Sequence, residues 1–351
     1  MSIIISGCAA TNLDTPGTSG KAAPVQTQTD QSPTASTGTN TFAPLVSKLS
    51  TSTATEALPA PTNVVTATQT APGSNKTIFL IVMENHDWSS IQGNPSAPYI
   101  NKTLLPQASY ALNYHNPPGN HPSLPNYLWL EAGTNFGIHN DGSPYENHQS
   151  TTQHLVTLLD NAGISWKAYE ENISGKDCPL NGNDLYAPRH NPMIYFNDVT
   201  NNNDLQSSYC ISHERPFSEL AGDLQNNTVA RYNFITPNVC DDMHNLIGCA
   251  TLDPVKNGDT WLSKEIPMIM ASNAYKNGGV IFITWDEAAH DDAPIGLIVL
   301  SPLAKGGGYT NKIHYTHSST LRTIQEIFGI KPLLGDAAKA TDLSDLFKTF
   351  P

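Results

Sequence analysis

Apolar residues first gather at Thr77-Ile78-Phe79-Leu80-Ile81-Val82-Met83, a run rich in β-branched residues. Such a run predicts a strand buried on both faces. Four more runs read as strands: Ser165–Tyr169, Arg231–Ile235, Val280–Thr284 and Ile295–Leu300. Helical spacing of apolar positions appears between and after them, at His154–Ala162, Phe217–Leu224, Trp261–Tyr275 and Ser319–Phe328. Strands alternating with helices predict an α/β fold: a doubly wound, mainly parallel sheet with helices on both faces. The Asn- and Pro-rich stretch 175–212 breaks this rhythm and reads as an excursion pinned by cysteines. No internal repeat is present.

Residues 9–72 show no such pattern. They are rich in Ser, Thr, Ala, Pro, Gln and Gly, contain no Trp or Tyr, and have a single Phe. Too little apolar surface is available there to offset chain entropy, so the segment is expected to be a disordered, flexible linker. The folded domain is then 73–351. Before the linker, Ile3-Ile4-Ile5-Ser6-Gly7-Cys8 runs from apolar to small to Cys, as a bacterial lipobox does. Residues 1–8 are therefore expected to be a truncated lipoprotein signal, with Cys8 lipidated. The apolar part is too short for a complete signal peptide or a transmembrane helix, and no basic segment precedes it, which points to a start further upstream.

Composition sharpens the address. Only 14% of the 351 residues are charged, formal net charge is −13, and the pI is near 5.2. With no Lys/Arg run, the chain lacks the surface that binds nucleic acid. Part of the acidity has another possible use, as clustered carboxylates around a cation. With Cys8 lipidated, Cys178, Cys210, Cys240 and Cys249 remain, an even number suited to an oxidising compartment. The simplest pairing is Cys178–Cys210 and Cys240–Cys249; two other pairings are open. No CxxC pair marks a zinc site. The expected location is export: a bacterial lipoprotein at the cell envelope, periplasmic or at the surface, or a secreted protein, meeting membrane only through the N-terminal lipid.

Open α/β sheets bind ligands at the carboxyl ends of their strands. Thr77–Met83 is followed by Glu84-Asn85-His86-Asp87, Arg231–Ile235 by Thr236-Pro237-Asn238 and then Asp241-Asp242-Met243-His244, and Val280–Thr284 by Trp285-Asp286-Glu287. Each alone is more often a turn or a helix cap. Three strands delivering carboxylates to one edge predict a bound cation, because crowded like charges repel at low dielectric. Oxygen ligands with some His suit Mg, Ca, Mn, Fe or Zn.

The candidate nucleophile is Ser123, in Asn120-His121-Pro122-Ser123-Leu124-Pro125-Asn126-Tyr127. Pro is tolerated at a helix start and an apolar run follows, so Ser123 should open a helix whose N–H groups face an approaching anion. A serine there serves as an N-cap or as a phosphate acceptor, and one residue can do both. The G-x-S-x-G nucleophile elbow and the P-loop are both missing. One more His-bearing segment, His314-Tyr315-Thr316-His317-Ser318-Ser319, leads into the last helix and can bring His317 to the same edge.

Taken in order, Met83-Glu84-Asn85, His121-Pro122-Ser123-x-Pro125-Asn126-Tyr127, Thr236-Pro237-Asn238 with Asp242-x-His244, Thr284-Trp285-Asp286-Glu287 and Tyr315-Thr316-His317-Ser318-Ser319 resemble the phosphoesterase family of bacterial acid phosphatases and phospholipases C, within the alkaline-phosphatase-like superfamily. The resemblance runs over roughly residues 76–332. It implies Ser123 as nucleophile and Glu84, Asn85, Ser123, Asp286 and Glu287 as metal ligands. Asp242, His244 and His317 match positions that serve a second metal or surround phosphate. Glu287 stands where many relatives have Asp or His, which leaves the metal, and whether there are one or two, open. His121, His244 or His317 would stabilise phosphoryl oxygens or protonate the leaving group.

The expected activity is metal-dependent phosphomonoester hydrolysis of the acid-phosphatase type through phosphoserine, on a small phosphorylated substrate. Phospholipase C action on a phospholipid is the alternative. It is less favoured because phospholipases C of this family tend to carry extra C-terminal domains, and no amphipathic membrane face stands out. A non-catalytic metal-binding lipoprotein and a transferase are further readings. The fold alone does not exclude either one.

Overall fold

The computed structural model describes residues 76–244, 246–290 and 292–351. The expected lipobox, Cys8 and the 9–72 linker lie outside the described residues.

Among the described residues ten strands are present: β1 (Ile78–Met83), β2 (Ser109–Ala111), β3 (Tyr114–His115), β4 (Trp166–Glu170), β5 (Glu214–Pro216), β6 (Tyr232–Thr236), β7 (Val280–Trp285), β8 (Leu297–Leu300), β9 (Tyr309–Asn311) and β10 (Tyr315–Thr316). Eight form one sheet in the order β5-β4-β6-β1-β7-β8-β2-β9, and β3 pairs with β10 separately. Within the large sheet β8 alone runs against its neighbours β7 and β2. The sheet is therefore mainly parallel, as expected. The long strands match the apolar runs to within a residue or two. The short ones (β2, β3, β5, β9, β10) carry two or three residues each, too few to impose a period on the sequence.

Every residue of β1 and of β7 is fully buried, which explains their unbroken apolar character. β1 lies between β6 and β7, and its register sets Met83 beside Trp285. The residues that follow, Glu84 and Asp286, are thereby side by side at the carboxyl edge, because neighbouring strands lie only about 4.8 Å apart. The chain fills strands to the left and right of β1 in turn, so this edge is also the point where the winding changes direction.

Five helices of seven residues or more flank the sheet: α1 (Ser123–Ala132), α2 (Leu155–Asn161), α3 (Leu220–Asn226), α4 (Pro254–Ala271) and α5 (His317–Phe328). α1 packs on α5, where the Trp129 indole donates to Ser318 Oγ at 2.8 Å. α4 begins seven residues before the predicted start. Asp253 caps it by accepting from the Lys256 N–H at 3.1 Å, with Pro254 in the first turn, a start signal outside the apolar spacing. Gly258 of α4 is required by packing: a Cβ there would meet Met243 Cγ at 2.4 Å. Its absence lets the loop carrying Met243 close against β1. Disulfides join Cys178 to Cys210 and Cys240 to Cys249, the simplest of the three pairings. Among the described residues no helix is long and apolar enough to cross a membrane.

Candidate active site

Glu84, the first residue after β1, is the centre of the site and is fully buried. Its carboxylate accepts from Ser123 Oγ at 3.0 Å and from the Tyr127 hydroxyl at 2.7 Å. Ser123 is the first residue of α1, and the N-cap is Pro122, joined to His121 by a cis peptide bond. The serine hydroxyl is therefore spent on Glu84 rather than on capping the helix. Leu124 N–H, also in the first turn, donates to Asp141 Oδ1 at 3.0 Å, and Asp141 lies 3.6 Å from the Arg189 guanidinium.

Asn85 turns the chain out of β1 with φ of 22°, a left-handed conformation that Asn tolerates better than most residues. The turn aims its backbone N–H at Asp286 Oδ1 (2.9 Å) and its side-chain amide at Glu287 Oε1 (2.6 Å). The other oxygen of Glu287 accepts from Asn126 at 3.0 Å and holds His121 Nδ1 at 2.6 Å.

Asp242 reaches the cluster from the loop after β6. Its carbonyl accepts the Glu84 N–H at 2.7 Å, and its Oδ1 accepts the His244 N–H at 2.7 Å. Met243 between them sits at φ of 81°, a strained value for a non-glycine residue. His190, from the 175–212 excursion, lies between the two acids. Its Nε2 is 3.3 Å from Glu84 Oε1 and its Nδ1 3.3 Å from Asp242 Oδ2, although neither nitrogen is aligned for a good hydrogen bond. Glu84, His190 and Asp242 each bring one ligand atom within 4.8 Å of the others, a possible metal site.

The electrostatics are unfavourable as they stand. Burial pushes Glu84 well above the usual carboxylate range, and the charges of Asp286 and Asp242 add to it. Burial raises Asp242 in the same way, as it does Asp286, helped there by the charge of Glu287. Burial also drives His190 well below its ordinary value, reinforced by Arg189 and His244. Glu287, less buried, is pushed up to about 7 by desolvation and by Asp141.

The expected residues thus divide. Glu84, Asn85, Ser123, Asp242, Asp286 and Glu287 share one edge, with His121 against Glu287. His317 reaches this edge too, against the backbone of Asp286 rather than a carboxylate. It is fully buried, its Nε2 donates to the Asp286 backbone carbonyl, and its Nδ1 accepts from Tyr114 OH at 3.1 Å. Burial lowers its pKa to about 4, so the ring is neutral, and both nitrogens are engaged in bracing the strand end. A metal there would have to displace one of them. The His244 side chain is exposed, its ring 6.2 Å from that of His190, and its backbone N–H donates to Asp242 Oδ1. His190, Tyr127 and Asn126 were not foreseen as site residues. Tyr127 and Asn126 follow Ser123 by about one helical turn, a spacing that places them on the same side. His190 carries no comparable signal, since the excursion that holds it has no periodicity.

The candidate site thus lies at the switch point of a mainly parallel α/β sheet. The chain belongs to the Phosphoesterase family, which residues 107–331 match. Glu84 and Asn85 lie before the matched segment. In sequence the chain is similar to a phosphatidylinositol-3-phosphatase of Mycobacterium tuberculosis, 27% identical over 274 residues, 77% of this chain and 82% of that protein. It is also similar to a phosphate-repressible acid phosphatase of Penicillium chrysogenum, 28% identical over 226 residues, covering 61% of this chain and 51% of the fungal one. The chain thus spans about half the length of that fungal relative. In structure it is similar to a protein in the alkaline phosphatase superfamily from Vibrio parahaemolyticus, with a TM-score of 0.50 at 11% identity over 78% of this chain and 72% of that one, a likeness of fold.

Proposed function

We propose that this chain is a metal-dependent phosphomonoesterase of the acid-phosphatase type, with Ser123 as its nucleophile. The observation that carries the reading is the hydroxyl of Ser123 donating into the Glu84 carboxylate, inside a cluster of buried acids that lacks a counter-charge. The names of the mycobacterial and fungal relatives support the same reaction class.

A divalent cation fits the residues present. Among the described residues, Asn85 Oδ1, Asp242 Oδ2, Asp286 Oδ2 and His190 Nε2 are buried side-chain atoms without a hydrogen-bond partner. All belong to this cluster. Buried unpaired polar atoms are costly, and here they are hard oxygen donors and one imidazole nitrogen. Glu84, Asn85, Ser123 and Asp286 would hold the ion. Asp242 and His190 would complete its shell or hold a second. Glu287, with both oxygens bonded to Asn85, Asn126 and His121, would orient the ligands or exchange those bonds for the metal. When bound, the ion would lower the pKa of the Ser123 hydroxyl and offset charge on the phosphoryl oxygens.

In the first half-reaction Ser123 Oγ bonds to phosphorus as the ester P–O bond breaks. The serine proton passes to Glu84, and the departing alkoxide takes one from His121, which Glu287 holds through Nδ1. In the second, water attacks the phosphoserine and gives a proton to His121, while Ser123 recovers its own from Glu84. The two disulfides support an oxidising compartment outside the cytosol.

Ser123→Ala is expected to cut kcat for p-nitrophenyl phosphate by roughly 10⁴-fold or more, with the circular dichroism spectrum and metal content retained. Wild-type enzyme quenched in acid during turnover of labelled substrate should carry phosphate on Ser123. Near-normal turnover by the alanine variant would remove the assignment.

A further inference from the structure

Two segments of chain line an open cavity of about 500 Å³ close in sequence to Asp242 and His190. One segment leads to His190 and contributes Asp184 and Leu185. The other is the loop closed by Cys240–Cys249, contributing Cys240, Leu246, Ile247 and Gly248. Val239 N–H donates to the Leu185 carbonyl at 3.0 Å and ties the two together. Cys240 is two residues from Asp242, and Leu185 is five from His190. Because a chain spans at most ~3.5 Å per residue, the cavity wall begins within ~7 Å of Asp242 and ~18 Å of His190.

The chemistry of the lining differs from that of the site. Asp184 is its one ionisable group, since Cys240 is oxidised. Ile247 is fully exposed, Leu246 is partly so, and Leu252 just beyond is mostly exposed, three of the six large hydrophobic residues left in water among those described. The loop is held from both sides. Its disulfide closes it, and the Asp242 backbone and carboxylate are tied to Glu84 and His244. The apolar tip is therefore presented to solvent four and five residues along the chain from Asp242. Residues 239–255 contain no Lys or Arg and three Asp, a charge pattern that disfavours adsorption to an anionic bilayer.

We infer that this cavity takes the alkyl part of the leaving alcohol, so that the enzyme selects phosphomonoesters of apolar alcohols in solution. The inference rests on the phosphomonoesterase reading and adds to it the substrate class. The phosphoryl group would sit at Ser123, with the chain of the alcohol lying along Cys240, Leu246 and Ile247.

The test uses the full chain with its divalent metal, and alkyl phosphates from ethyl to octyl below their critical micelle concentrations, with glycerol 3-phosphate as reference. Wild-type kcat/KM is expected to rise with chain length, by up to about fourfold per methylene. Leu246→Ser combined with Ile247→Ser should lower kcat/KM for octyl phosphate about ten- to a hundredfold and leave glycerol 3-phosphate unchanged. A wild type indifferent to chain length would overturn the inference. So would a variant that loses both substrates equally, or a chain-length effect that appears only with substrate embedded in vesicles. Calorimetric binding of octylphosphonate against methylphosphonate separates this idea from the one beneath it. Tighter binding of the octyl compound without any ester turnover supports the cavity and sinks the phosphomonoesterase reading; turnover without a binding preference does the reverse.

Discussion

Two clusters among the described residues share a composition and differ in character, one with an exposed member, Asp198, and one wholly buried. Each places one imidazole between two carboxylates. In the first, Glu131, His154 and Asp198, the His154 ring meets Glu131 at 3.0 Å through Nδ1 and Asp198 at 3.0 Å through Nε2. Val156 N–H and Thr157 Oγ1 supply further hydrogen bonds to the two acids, and Phe196 stacks on the ring at 3.8 Å. Burial alone would discharge His154, but the bonds and charges of Asp198 and Glu131 outweigh it and raise its pKa. In the second, Glu84, His190 and Asp242, the imidazole lies 3.3 Å from both acids and out of line with them. Burial prevails there, driving His190 down and both acids up, whereas in the first cluster it raises Glu131 and leaves Asp198 lowered. The first cluster favours a protonated imidazole, whereas the second disfavours charge on all three of its groups. Hydrogen-bond alignment and the exposure of Asp198, rather than residue type, make the difference, because a buried charge is tolerated only where it is both paired and bonded.

The comparison is most easily broken by neutralising one acid in each cluster. Glu84→Gln is expected to lower kcat/KM by at least about 100-fold, the scale on which losing even a residue that orients a ligand acts. Its metal-free thermal midpoint should hold or rise, since one of several crowded carboxylates is gone. Glu131→Gln should do the opposite. It strips a partner from a buried ion pair and should cost roughly 3–5 kcal/mol in denaturant unfolding, while the folded fraction keeps its kcat. Similar effects in the two variants would mean that the clusters are not different in kind.

Chelation gives a smaller effect. Removing a cation present at a hundred times its dissociation constant lowers stability by about 2.7 kcal/mol. Differential scanning calorimetry should show EDTA lowering the wild-type midpoint and leaving that of Glu84→Gln nearly unmoved. An equal drop in both would place the cation elsewhere.

The smallest effect is in pH. His154 titrates above its ordinary 6.5 in the folded chain, so its stabilisation is complete below 6.5 and is lost as pH rises through the raised value. For Asp198 burial opposes ionisation, but the bonds and charge of His154 win and hold it below 3.8. Its contribution is therefore present above 3.8 and is lost as pH falls through the lowered value. The stability gap between wild type and His154→Gln, measured by urea unfolding, should be widest between these limits and narrow towards pH 9. A gap that widens on the alkaline side would show that His154 is neutral in the folded protein.

The fold was readable because the central strands β1, β7 and β8 are buried on both faces and leave nearly unbroken apolar runs. β1 and β7 were legible for this reason, and with them the carboxylates at their ends, Glu84 and Asp286. The five short strands, and the reversed direction of β8, depend on partners far along the chain and write no local period. Ser123 was legible as a helix start, but whether its hydroxyl caps that helix or faces an acid is a matter of where β1 ends in space.

The sequence by itself therefore determined the layered architecture, the edge at which chemistry gathers, and most of the carboxylates brought there, because burial and chain reversal act on neighbouring residues. Tertiary structure alone decided that His190 joins Glu84 and Asp242, that His317 braces the Asp286 carbonyl, and that the pKa of His154 is raised while that of His190 is lowered. Each of these turns on distances of about 3 Å between residues tens to hundreds of positions apart, and on burial that only the assembled sheet and helices create.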